Sequence, residues 1–304
     1  MRKLAIAIGA MILTSGAAAQ VPPEIAAKVR AAGQAMDPSA GELYAPIFAS
    51  KGQGDITITR DIAYGDDPLQ VLDLYVPGGT VDAPRPVLLF VHGGGFTRGD
   101  KHGPFYPDNV TAWAASHGMV GVNINYRLAP ADPWPAGVQD LAAAIAWTRA
   151  NIARHGGDPD RIILWGHSAG ANHVADYVGH KDVQGPEAAA VKGAVLLSPF
   201  YAPDAGGQPH AYYGTDANLQ AAGATIERLA ASGMPLFIGY AQFDPEPMRQ
   251  FAETAIAQLC EGRSDTCPAS VDLPDHNHFT EGMAVGTEDT SLSGPVLRWI
   301  EALE

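Results

Sequence analysis

One serine, one carboxylate and a pair of histidines occur in an order from which a nucleophile, its base and the base's orienting acid can be built. Gly166-His167-Ser168-Ala169-Gly170 fits G-x-S-x-G. The apolar run Ile162 to Trp165 precedes it, and Ala171 to Ala175 follow with a helix-compatible pattern. Strand, pinched turn and helix together are the context that this motif requires. Such a turn strains the backbone of its middle residue and lifts the hydroxyl above the sheet edge, at the positive end of the helix. Ser168 is therefore the candidate nucleophile. A short pattern with three fixed positions also arises by chance, so it needs partners.

The first partner is a glycine run. His92-Gly93-Gly94-Gly95-Phe96 directly follows the buried strand Val87 to Val91. Three glycines are entropically costly to order, so they imply a backbone shape that other residues cannot adopt. A phosphate cradle would continue into Gly-Lys-Ser/Thr, and this stretch continues into Thr97-Arg98. The run reads instead as an oxyanion hole, with the N–H groups of Gly94 and Gly95 aimed at a developing alkoxide and that of Ala169 as a third donor.

The acid and base should follow in the order Ser, Asp/Glu, His. Asp244 comes after the strand Pro235 to Tyr240, at a strand's C-terminal end, where open α/β sheets build their sites. Glu246 is the rival, better read as a solvated acid in the first turn of the next helix. Asp275-His276-Asn277-His278-Phe279 then offers two bases. Either His276 or His278 would take the Ser168 proton, while Asp244 fixes its tautomer and stabilises the imidazolium. Histidines spaced by one residue also occur in metal sites, but no third ligand stands beside them in the motif. No metal is expected. His167 and His173 read as structural or exposed residues. Phe96, Trp134 and Tyr201 are candidate walls of the substrate pocket, although core packing explains any one of them equally well.

The elements that must position these groups alternate. Ile56 to Thr59 and Leu69 to Val76 read as paired strands. Strands at Val87–Val91, Met119–Tyr126, Ile162–Trp165, Lys192–Leu197, Pro235–Tyr240 and Ser270–Leu273 then alternate with helical stretches at Asn109–Ser116, Val138–Ala153, Ala222–Ala231, Met248–Leu259 and Leu292–Leu303. Such alternation argues for one α/β domain on a mostly parallel sheet. Pro22 to Ser50 reads as an N-terminal extension packed on it. Pro199 to Asp216, rich in Pro, Gly and aromatics, reads as an insertion over the site. Arg127 reads as a structural ion-pair partner beneath the glycine loop, with a substrate clamp as the alternative.

Met1-Arg2-Lys3, the apolar run Leu4 to Leu13 and Ala17-Ala18-Ala19 have the three parts of a secretory leader, with cleavage expected after Ala19. The formal charge of −14 becomes two units more negative without Arg2 and Lys3. A surface so acidic repels phosphate backbones, so a nucleic-acid partner is not expected. No later apolar stretch is long enough to span a bilayer. An exported, soluble protein is expected. The two cysteines, Cys260 and Cys267, read as one disulfide closing a small loop in an oxidising compartment.

With these stretches in hand, the chain resembles carboxylesterases of the α/β-hydrolase fold, closest to the hormone-sensitive-lipase-like and feruloyl/acetyl esterase (BD-FAE-like) groups. The resemblance rests on His92–Phe96, Asn125-Tyr-Arg-Leu-Ala-Pro130, Gly166–Gly170, Phe243-Asp244-Pro245 and His276–Phe279. It implies a mostly parallel central sheet with helices on both faces and a small N-terminal extension or cap. Residues 1–19 would be the leader, 20–54 the extension and 55–304 the catalytic domain. It makes Ser168 the nucleophile, Asp244 the acid, and Gly94, Gly95 and Ala169 the oxyanion donors. The histidine immediately before the aromatic, His278, becomes the base. It implies no cofactor and a small acyl ester as substrate, acetyl or feruloyl esters among them, cleaved through an acyl-enzyme. His167 stands where lipase-like relatives often carry Asp, and His-Asn-His-Phe where they often have His-Gly-Phe. These departures point towards the feruloyl-esterase and arylformamidase-like branch, which makes an amidase with the same triad the alternative. A catalytically silent binding protein is a third reading, disfavoured because neither a triad member nor a glycine donor is missing.

Overall fold

Runs of branched apolar residues build the centre of this protein. The computed structural model describes residues 21–50, 54–79, 83–103, 108–200, 210–214, 226–261 and 267–303. The expected leader, Tyr201 and most of the Pro199–Asp216 stretch lie outside them. Eight strands form one sheet: β1 (Ile56–Ala63), β2 (Val71–Pro77), β3 (Arg85–Val91), β4 (Val120–Ile124), β5 (Gly157–His167), β6 (Val191–Leu197), β7 (Leu236–Phe243) and β8 (Ala269–Asn277). Their order is β1-β2-β4-β3-β5-β6-β7-β8. The pairs β1/β2 and β2/β4 are antiparallel, and all others are parallel.

The helices are α1 (Pro23–Ala32), α2 (Ala45–Ser50), α3 (Asn109–Ser116), α4 (Ala136–Asn151), α5 (Ala169–Gly179), α6 (Ile226–Ser232), α7 (Glu246–Cys260), α8 (Thr280–Met283) and α9 (Ser293–Glu301). The central strands are apolar at nearly every position because both sheet faces are covered. Alternate side chains separate into two cores. Leu89, Val91, Ile162, Leu164 and Leu196 pack with Leu141 and Ile145 of α4 and Val174 of α5. Leu88, Phe90, Ile163, Trp165 and Phe237 pack on the other face with Trp113 of α3 and Val296 and Ile300 of α9. A mostly parallel sheet with helices on both faces is thus what the sequence predicts and what forms.

One boundary differs in a way that matters. The sequence places the last strand's end at Leu273, before Pro274, yet β8 continues to Asn277. As an edge strand, β8 tolerates a residue without a backbone N–H. The pairing slips between Ala241 and Phe243, so that Asn277 lies opposite Phe243. That slip brings the residue after Asn277 beside the residue after Phe243, namely His278 beside Asp244.

The N-terminal segment packs where this loop leaves the sheet. Val21, then Ile25, Ala26 and Val29 of α1, and Tyr44 of a 3-10 turn (Pro38–Tyr44) bury against Met283 and Ala284. Arg30 also meets Asp275 at 2.6 Å, an exposed pair of little energetic weight. Arg127 is held by Asp140 of α4, with Nε at 3.0 Å and a terminal nitrogen at 2.6 Å, the structural role weighed for it above. Cys260 and Cys267 are joined by a disulfide. Among the described residues, no helix is long and apolar enough to cross a membrane.

Candidate active site

Ser168 sits between β5 and α5 with φ 54° and ψ −124°, a backbone conformation that a non-glycine residue adopts only under strain. The positions two before and two after it must be glycines. A Cβ at Gly166 would run into the backbone of Gly170 and Ala171, and one at Gly170 into the carbonyls of Val91 and His92. The turn is therefore closed down on the end of β3. The amide of Ser168 is tied across to the carbonyl of Leu197, at 2.9 Å, where β6 ends. Ser168 itself remains partly exposed.

His278 reaches this serine and His276 does not. His278 Nε2 lies 2.9 Å from Ser168 Oγ, and its Nδ1 lies 2.9 Å from Asp244 Oδ1. The ring of His276 is consumed elsewhere: Nε2 faces Asp289 at 3.2 Å and Ser291 Oγ at 3.1 Å, while Nδ1 faces Thr280 Oγ1 at 3.3 Å. Asp244 is wholly buried, and its second oxygen accepts from the Ala241 amide at 2.8 Å and from Ser198 Oγ at 2.5 Å. A buried carboxylate with its lone pairs satisfied by donors is held in one orientation. Glu246, the rival acid, is exposed and opens α7.

The glycine loop runs directly over the serine. A Cβ at Gly93 would lie 3.0 Å from Ser168 Cβ. Gly94, Gly95 and Phe96 all have positive φ, at 132°, 61° and 66°. At Gly94 a Cβ would collide with the Arg98 carbonyl, whereas at Gly95 it would meet nothing within 4 Å. Among the described residues, the amides of Gly94 and Gly95 donate to no backbone acceptor. The amide of Ala169 is the first of α5 and has no acceptor within the helix. The loop is braced from below, where Tyr126 stacks on the His92 ring at 4.5 Å and donates its hydroxyl to the His92 carbonyl at 2.8 Å.

Of the three candidate pocket residues, Phe96 is 5% exposed and stacks on Tyr212 with ring centroids 4.7 Å apart. It is packed among Ala129, Ala169, Tyr212 and Tyr213, with Trp134 partly buried beside them. Tyr201 lies outside the described residues. His173, on α5, is wholly buried against Phe96, Tyr126 and Tyr212, and among the described residues neither ring nitrogen has a hydrogen-bonding partner. Desolvation pushes its pKa down to about 3.

Three contributors escape the motif reading. Ser198 stands just after β6, and a search of every parallel strand's C-terminal end would have found it. His167 is buried, and its Nε2 lies 2.9 Å from the His278 carbonyl and 3.1 Å from Glu281 Oε1. Glu281 is wholly buried, and its one sequence signal is a lone acid within the apolar and small stretch Phe279 to Val285. His167, His278 and Glu281 bring one donor atom each within 4.8 Å of one another. Both nitrogens of His278 already serve Ser168 and Asp244, so this trio works as part of the hydrogen-bonded cluster.

The family model described as BD-FAE matches residues 72–187, which include β3, the glycine loop and the serine turn. Over 113 residues the chain is 41% identical to Esterase LipC of Mycobacterium tuberculosis, covering 37% of this chain and 28% of that one. Over 134 residues it is 36% identical to the bile salt-activated lipase of Homo sapiens, covering 39% of this chain and 18% of that one. The matched stretch therefore spans less than a third of either relative. One of the two fungal esterases solved from Rhizomucor miehei superposes with a TM-score of 0.66 at 21% identity, over 93% of this chain and 98% of that one. A likeness of that extent establishes the α/β-hydrolase fold.

Proposed function

We propose that this α/β-hydrolase-fold chain is a carboxylic-ester hydrolase working through a serine acyl-enzyme. The observation that carries the reading is the unbroken relay of Ser168 Oγ, His278 and Asp244, with 2.9 Å at each step, ending on a serine in the strained turn beneath the glycine loop. His278 takes the proton of Ser168 as the hydroxyl oxygen attacks the ester carbonyl. The tetrahedral oxyanion is held by the amides of Gly94, Gly95 and Ala169. His278 then gives the proton to the departing alkoxide, and the acyl group stays on Ser168 Oγ. A water, deprotonated by the same imidazole, attacks the acyl carbon and releases the acid and the serine. No step needs a cofactor. Small acyl esters, acetyl and feruloyl esters among them, are the proposed substrates. A formamide could be cleaved by the same groups, and the histidine at position 167 is the residue that keeps this second reading open. The Cys260–Cys267 disulfide supports export to an oxidising compartment.

The test is turnover of 4-nitrophenyl acetate, butyrate and octanoate, with a matched aryl formamide, by wild type and Ser168→Ala. Loss of about 10⁴-fold or more in kcat/KM on the best ester supports the reading. Equal rates in the two proteins would overturn it, and a wild type faster on the formamide would favour the amidase.

A further inference from the structure

Behind the relay lies a second imidazole–carboxyl pair that the reaction does not use. His167 immediately precedes the nucleophile, and its Nε2 lies 2.9 Å from the carbonyl of His278. A carbonyl oxygen can only accept, so this nitrogen carries the proton and donates. The same N–H reaches Glu281 Oε1 at 3.1 Å, a bond shared between two acceptors. Among the described residues, the second oxygen of Glu281, Oε2, has no hydrogen-bond partner, although the side chain stands close enough to Ser198 for that hydroxyl to weigh on its ionisation.

The titratable groups facing Glu281 come from three strand ends. They are His167 at the end of β5, Asp244 after β7 and His278 after β8. Tyr44, on the 3-10 turn packed against α8, turns to Asp289 instead. Among the described residues, neither lysine nor arginine acts on Glu281, and its negative neighbour is Asp244. Two buried carboxylates sharing one small site cannot both be ionised without compensation.

We infer that His167 and Glu281 are positioning residues for the reaction proposed above. A neutral imidazole fastens the backbone of His278 to the end of β5, and a protonated carboxyl leaves Asp244 as the cluster's single negative charge. Burial pushes Glu281 well above the ordinary carboxyl range, with the charge of Asp244 adding to it. Burial likewise pushes His167 well below the ordinary imidazole range. One proton on Nε2 serves both of its acceptors, which a neutral imidazole can supply. Ionising Glu281 would set a second negative charge against the relay, close to the serine on which the oxyanion must form, and turnover would fall.

Because the inference rests on the serine reading, its test has a readout independent of activity. Infrared difference spectra at neutral pH should show the carbonyl band of a buried protonated carboxyl in wild type. The band should persist in Asp272→Asn, which removes another carboxyl that burial pushes up. It should vanish in Glu281→Gln or, should that variant not fold, in Glu281→Met. The pH profile of kcat/KM should fall on the alkaline side in wild type and stay level to higher pH in Glu281→Gln. His276→Gln should keep the wild-type profile. His167→Ala should lower kcat by about tenfold or more at unchanged KM, since the loop under His278 loses its anchor. A missing band, or a Glu281→Gln profile that superposes on that of wild type, would overturn the inference. An unaffected Ser168→Ala would sink the serine reading and leave the band to be judged by itself.

Discussion

His276 and His278 stand two residues apart, and both are buried with a ring nitrogen on an aspartate. His276 meets Asp289 at 3.2 Å and His278 meets Asp244 at 2.9 Å. One pair is scaffolding, and the other is the proposed engine. The difference lies in the remaining nitrogen of each ring. That of His276 faces Thr280 Oγ1, in the turn that opens α8, whereas that of His278 faces the serine held in the strained turn. Asp289 is in turn engaged by Tyr44 from the N-terminal segment, at 3.1 Å, so the His276 pair stitches that segment to the loop carrying His278. An imidazole–carboxylate pair is thus not a catalytic signature in itself. What the free end of the ring can reach decides its role.

Matched substitutions should separate the two pairs. His278→Ala and Asp244→Asn should each lower kcat/KM by about 10⁴-fold or more with little change in melting temperature. His276→Gln and Asp289→Asn should leave kcat/KM of the folded enzyme near wild type and cost about 3 kcal/mol in denaturant melts, because each strands a buried partner. If His276→Gln proved as inactive as His278→Ala at equal stability, the distinction would be wrong.

The glycine loop allows a finer cut through the same site. Gly94→Ala drives a methyl into the Arg98 carbonyl and must displace the loop. A loss of about 10²-fold in kcat, the worth of one oxyanion donor, should follow. Gly95→Ala meets open space and bears only the cost of a positive φ, about 1 kcal/mol, so its activity should lie within tenfold of wild type. Steady-state kinetics of the two variants measure this directly, and the reverse order would misplace the donors.

The smallest effect concerns His173, which is buried with no hydrogen-bond partner among the described residues. Its folded pKa lies near 3, below the unfolded value of 6.5. The unfolded chain therefore binds the proton first, and stability falls as pH drops from about 6.5 towards 3. Burial lowers His92 and His167 in the same direction, so replacing His173 removes only part of the slope. Thermal melts at neutral and mildly acidic pH should show a smaller acid loss in His173→Leu than in wild type. Equal slopes would mean that the ring is satisfied in a way the hydrogen-bond pattern does not show.

The site was legible to the degree that its constraints are local. Gly166 and Gly170 are required by the backbone next to Ser168, so a short stretch of sequence carries the turn. Asp244 follows from the rule that parallel strands end at sites. The choice between His276 and His278 is not local. Asp289 and Ser291 reach His276 from beyond its own turn, with Tyr44 holding Asp289, and family resemblance rather than spacing singled out His278. The continuation of β8 beyond Pro274 was hidden for a related reason, because proline is tolerated only at an edge and strand order is not written in local sequence. Glu281 gave the faintest signal, since a lone acid is ordinarily solvated and only the packed fold shows it buried within reach of the Asp244 charge.

The most direct measurement is covalent trapping of the nucleophile. Wild type incubated with a small alkyl phosphonate ester should gain one adduct in intact mass, map it to Ser168 by peptide sequencing and lose activity in proportion to labelling. His276→Gln should label at the wild-type rate, His278→Ala far more slowly and Ser168→Ala not at all. Labelling at another residue, or a wild type that remains unmodified while it hydrolyses ester, would contradict the account.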